Sequence, residues 1–226
     1  MKPIMTNADS SEFQAGASAP SPRSRAKLLA RMKGPGGYYN VGNVLCFATG
    51  IAVQLAAAPP SMDAAGALAD YFAGDLSGIM LTLATIVFLT SGETYHRAWA
   101  NGFPPDPALN RLGDFLSGVG CVALGIGLLT LGSPILAATS GILGAFGKFG
   151  SALHRPNPAS AVNWPWIFRA VVVQSRAPAI LAAVLELSRA APAIAGGAPA
   201  APLITAASLL VSYALWTKAD LLLLKA

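Results

Sequence analysis

Six apolar stretches, near residues 39–58, 75–92, 113–131, 134–150, 170–188 and 202–219, dominate this sequence. Most approach the ~20 residues that a helix needs to cross the hydrocarbon core of a bilayer. Water cannot solvate six such stretches on the polar surface available. Charged residues make up 11% of the 226, hydrophobic ones 54%, and mean hydropathy is +0.55, whereas soluble domains carry roughly a quarter charged residues. The same figures exclude a disordered chain, and two cysteines exclude a disulfide scaffold. The expected fold is all-α, a polytopic membrane bundle of about six transmembrane helices arranged as three hairpins.

Residues 1–37 differ from the rest. They are rich in Ala, Ser, Pro and Gly and hold Lys2, Arg23, Arg25, Lys27, Arg31 and Lys33. They lack the apolar core and cleavage site of a signal peptide. Residues 18–25 have too little apolar surface to fold, and 26–33 form a short basic amphipathic segment suited to an anionic leaflet. The expected organisation is a disordered basic tail over 1–37 and a transmembrane domain over 38–226. No folded basic module follows the tail, so nucleic acid is not an expected partner.

The placement of the bases sets the expected orientation. With six spans, one side receives the tail and then Arg97, Arg111, Lys148, Arg155, Arg169, Lys218 and Lys225, while the opposite loops receive Arg189. That positive-inside bias puts both termini in the cytoplasm and the chain in a cell inner membrane. Tyr38, Tyr39, Tyr95, Trp99, Trp164, Trp166, Tyr213 and Trp216 fall near the same ends of the spans, as an aromatic belt does. Ala- and Gly-heavy usage points to a bacterial source.

The first two hairpins resemble each other. Gly42-Asn43 opens one and Gly113-Asp114 the other, and Gly-x-x-x-His-Arg closes both, at Gly92 to Arg97 and at Gly150 to Arg155. Small residues recur every fourth position, at Gly42, Cys46 and Gly50 and again at Gly113, Ser117, Cys121 and Gly125. Residues four apart share a helix face, so these stripes let helices approach closely. The spacing suggests a tandem repeat of hairpins.

Arg176 is the base expected to remain within the bilayer, seven residues past Arg169 and so about 10 Å along a helix. Either it snorkels to the interface or it faces the bundle and pairs with Asp114, Glu93 or Asp220. Gln174 and Pro178 lie close by, and a proline frees a backbone carbonyl where a polar patch could form. Asn43 and Asp114 sit just inside the same interface, with Arg111 the expected partner of Asp114 three residues away. Arg176, Gln174, Asn43 and Asp114 are thus the candidate intramembrane polar site.

His96 and His154, the two histidines in the chain, are weak candidates for cofactor ligation, better suited by their rim position to headgroups or loop carbonyls. No phosphate loop, Gly-x-Ser-x-Gly or His-Glu-x-x-His motif is present, and two histidines do not complete a structural zinc site. No catalytic residue, metal or cofactor is therefore expected. Cys46 and Cys121 are expected as free thiols in the packing stripes. The first functional expectation is a non-catalytic accessory, scaffold or assembly subunit, touching anionic headgroups at the cytoplasmic face and packing against its own copies or other membrane proteins. The alternative is a small-solute or ion transporter using the cluster around Arg176.

Overall fold

The computed structural model describes residues 34–74, 76–155, 157, 159–195 and 201–226. The basic tail expected over 1–37 therefore lies outside the described residues up to 33. All regular structure among the described residues is helical: α1 (Pro35–Ala57), α2 (Ala64–Ala73), α3 (Leu76–Ala98), α4 (Pro107–Thr130), α5 (Pro134–Leu153), α6 (Trp164–Ala195) and α7 (Ala201–Leu223). Five of these are long and apolar enough to cross a membrane: α3, α4, α5, the Trp164–Leu185 part of α6 and the Leu203–Leu223 part of α7. The protein is a multi-pass helical membrane protein on that ground. The first helix has 23 residues, as α3 does.

Helix starts follow local chemistry. Proline opens α1, α4 and α5, where its missing N–H has no intrahelical partner to lose. Asp106 caps α4 by accepting from the Ala108 and Leu109 amides at 2.9 Å each. Asp63 likewise accepts from Gly66 N at 2.7 Å and starts α2, a short helix in the connection between α1 and α3. Gly132, with φ +74, makes the turn between α4 and α5.

The six long helices pack in chain order and α7 returns against α1, so they close a ring; α2 packs on α1 and α3. Outward faces are apolar, with Val44, Ile86, Leu129, Ile142 and Leu181 exposed. Lipid supplies no hydrophobic force between helices, so small residues and hydrogen bonds must hold them together. A Cβ placed on Gly141 would come within 2.5 Å of the Gly125 Cα, so α4 and α5 touch backbone to backbone there. Ser91 donates to the Gly113 carbonyl at 2.8 Å and bonds Ser117 at 2.7 Å, joining α3 to α4. Ser212 donates to the Gly42 carbonyl at 3.0 Å and Thr49 to Ser208 at 2.9 Å, joining α1 to α7.

Two spans depart from the expected outline. The fifth begins at Trp164 rather than near 170, because Arg169 does not end it; that residue is buried inside the ring. The fourth contains a π-helical stretch, Ala137–Leu143. The wider turn shifts the register of the residues that follow, and such stretches are frequent at functional positions.

Candidate functional site

At one end of the ring, every long helix contributes a polar side chain to a single buried network. Tyr39 comes from α1, Tyr95 from α3, Asp114 from α4, Lys148 from α5, Arg169 and Arg176 from α6, and Asp220 from α7, all at most 8% exposed. These positions lie near the start of α1, the end of α3, the start of α4, the later part of α5, the first half of α6 and the end of α7. That alternation is what an up-and-down ring requires if all are to meet at one level.

Lys148 is the hub. Its Nζ stands 3.3 Å from Asp114 Oδ1 and 3.0 Å from Asp220 Oδ1, and donates to the hydroxyls of Tyr39 at 2.8 Å and Tyr95 at 3.2 Å. The rings of Tyr39 and Tyr95 stack at 5.3 Å, with the ammonium over both, 5.1 and 5.3 Å from their centroids. Tyr95 donates to Asp114 Oδ1 at 2.5 Å and Tyr39 donates to Asp220 Oδ1. Glycine makes the first of these possible, since a Cβ at Gly113 would lie 2.7 Å from the Tyr95 ring.

Two arginines complete the network from one face of α6, seven residues or two turns apart. Arg169 donates through Nε and Nη2 to Asp114 Oδ2 at 3.3 and 3.2 Å, and through Nη1 to the Leu223 carbonyl at 3.1 Å. Arg176 donates through Nε to Asp220 Oδ2 at 3.0 Å, and its guanidinium lies over the Trp216 ring at 5.8 Å. Each carboxylate therefore bridges Lys148 to one arginine. Desolvating charges is expensive, and only such multiple hydrogen bonding offsets it.

Beside the network, toward the opposite end of the ring, lies a cavity of about 500 Å³. It reaches from Asp70 and Tyr71 on α2, and Ser133 before α5, down to Asn43 and Trp216. Its walls are mostly apolar, with Phe47, Leu81, Phe88, Leu124 and Leu209, and it includes Cys46. Burial raises the Tyr71 phenol above its ordinary value. A second, much smaller void of about 10 Å³ lies among Asn43, Phe88, Cys121, Lys148, Arg176 and Trp216. Asn43, Phe88, Leu124 and Trp216 line both spaces and thus separate the cavity from the charges.

Compared with known proteins, the chain matches no family model, no curated protein and no solved structure. Function must be read from the site itself.

Of the four residues expected to form a polar site, Arg176, Asp114 and Asn43 are buried at the network or its border, and Gln174 is exposed on another face of α6. Arg176 faces the bundle and pairs with Asp220, one of its three expected partners. Asp114 does not use Arg111, whose Nε donates to the Pro107 carbonyl at 3.3 Å; it takes Lys148 and Arg169 instead. Lys148 and Arg169 do not belong with the loop bases, since they are 1% and 8% exposed, and Arg176 is therefore not alone inside. Tyr39, Tyr95, Tyr213 and Trp216 are buried and are not belt residues, because their polar ends have partners or neighbours within the ring. Tyr213, for example, bonds Ser140 at 2.6 Å.

His154 ends α5, its Nδ1 2.9 Å from the Gly150 carbonyl and its ring 4.9 Å from that of Phe168. His96 lies in the last turn of α3. No group of three or more His, Cys, Asp or Glu suited to a metal occurs among the described residues. Cys46 and Cys121 are free thiols, the first on the cavity wall and the second at the small void.

Proposed function

We propose that this is a solute-handling protein of a bacterial inner membrane, admitting a small solute or ion to a site between its helices. In this reading α1 is the sixth span and both termini are cytoplasmic. The orientation rests on Arg97, Arg111, Arg155, Lys218 and Lys225 together with the basic tail, after Lys148 and Arg169 are withdrawn from that set. The single observation that carries the reading is a cavity of about 500 Å³ between the helices, one layer of side chains (Asn43, Phe88, Leu124 and Trp216) away from a charge network drawn from every long helix. An accessory or scaffold subunit needs close packing, and a void of that size forfeits it. Intramembrane ionisable residues in the bundle interior, close to such a space, mark solute and ion pathways.

Thiol accessibility in intact cells tests this reading. A small membrane-impermeant methanethiosulfonate added outside should modify Cys46 and leave Cys121 unmodified, as read by peptide mass spectrometry. If Cys46 resists the reagent as completely as Cys121, the cavity is not an entry path and the scaffold reading replaces this one.

A further inference from the structure

The large cavity is charged at its mouth and apolar along its length. Among the described residues that line it, Asp70 is the one with a formal charge. It lies on α2, at the end of the cavity away from Lys148, and is exposed. A Cβ at Gly74 would come within 2.4 Å of Asp70 Oδ1, so the carboxylate lies over the end of α2. That is the corner from which Ser77 and Gly78 also line the cavity. A carboxylate has about four lone-pair sites, so Asp70 can meet a ligand while keeping partners within the protein.

Aromatic rings stand beside this carboxylate. Tyr71 follows Asp70 on α2, and its ring lies 6.5 Å from that of Phe47 and 5.3 Å from that of Phe72. A Cβ at Gly50 would lie 2.6 Å from the Tyr71 hydroxyl, so the ring reaches across to α1. Tyr71 and Phe47 both line the cavity. The faces of such rings attract ammonium groups. The network at the far end acts in the same sense. Its cations Lys148, Arg169 and Arg176 outnumber its carboxylates Asp114 and Asp220 by one, one layer of side chains beyond the inner end of the cavity. Charges act far in a medium of low dielectric. A cationic headgroup is therefore repelled from the inner end and drawn to the mouth. An anionic headgroup meets Asp70 at the mouth and, among the described residues, no cation on the wall.

We propose that the cavity binds an amphipathic organic cation, its ammonium group at Asp70 and the Phe47 and Tyr71 rings and its hydrocarbon body along Leu81, Phe88, Leu124 and Leu209. This rests on the solute-handling reading and specifies its ligand. A small cation without a hydrocarbon body would leave the apolar walls bare. A neutral amphiphile would fill the walls and make no use of the carboxylate.

The probe is decyltrimethylammonium, with the full chain in nanodiscs and alkylation of Cys46 by N-ethylmaleimide as the readout, since Cys46 lines the same cavity. At saturation the probe should slow Cys46 alkylation by about tenfold or more. At the same concentration decanol and decanoate, which share its chain length, and tetramethylammonium, which lacks the chain, should not. In an Asp70→Asn variant the same protection should need about fivefold more decyltrimethylammonium, with melting temperature unchanged because the position is exposed. Equal protection by decanol, by decanoate or by tetramethylammonium, or an unaltered requirement in the variant, would each overturn the proposal. The four probes compared on the unaltered chain decide the charge requirement even if the variant is unstable. Should Cys46 react freely and decyltrimethylammonium not protect it, the ligand class fails while the solute-handling reading stands. Should Cys46 be unreactive from the start, both fail.

Discussion

The two ends of the ring solve the problem of a membrane interior in opposite ways. At the charged end, Lys148 sits between two carboxylates and two tyrosine hydroxyls, and the carboxylates are closed off by Arg169 and Arg176. At the other end a space of about 500 Å³ is walled mainly by side chains that need no partner. The contrast teaches that helix association and ligand space are assigned to different levels of one bundle. Electrostatic closure holds six helices together at one level, which leaves the other free to remain hollow.

The largest expected effect comes from breaking the charged end. Lys148→Met leaves Asp114 and Asp220 each with a single cation in a desolvated site, and should destabilise by about 3–5 kcal/mol. The protein should lose its monodisperse peak in size-exclusion chromatography, and melt at lower temperature where it survives. A smaller effect is expected where the ends are joined. Gly141→Val places a side chain against the Gly125 backbone and should cost about 1–3 kcal/mol, seen as a lower melting temperature in the same detergent.

How much of this was visible in the sequence divides along the same line. The apolar stretches announce the helical membrane bundle, since six segments of span length admit few other folds. Arg176 stands out because a charge well inside an apolar stretch has nowhere to hide, and Asp114 because it opens a stretch just inside the interface. Lys148 and Arg169 do not, because a base near the end of a stretch looks like a rim base when only linear position is considered. A face-by-face reading carries a signal: Lys148 adjoins Gly144, Gly147 and Ser151, all buried, so it shares the packing face of α5. Tyr213 and Asp220, two turns apart on α7, share an inward face in the same way. The choice of Lys148 over Arg111 as a partner for Asp114 is a tertiary fact, set by how α4 and α5 pack, and no spacing within α4 encodes it.

Filling the hollow end should be far milder than disturbing the charged one. Ala84 is small and lines the cavity, so a leucine there would extend toward the hollow. We expect Ala84→Leu to leave the melting temperature unchanged or raise it slightly, while slowing alkylation of Cys46. Strong destabilisation by this substitution would mean that the wall is already close-packed. The smallest effect belongs to the surface pair of Glu93 and Arg97, one turn apart at 3.2 Å with the arginine side chain 70% exposed. Arg97→Gln should change stability by no more than about 0.5 kcal/mol, and less at high salt.

The account turns on Lys148 and Asp220 being directly paired across the bundle, 3.0 Å apart and both shielded from solvent. A double-mutant cycle measures this, with Lys148→Met, Asp220→Asn and the double variant compared by thermal unfolding in nanodiscs. A coupling of about 2–3 kcal/mol is predicted, with the double variant less damaged than the sum of the singles. Additive effects would contradict the network and, with it, the placement of all six helices around Lys148.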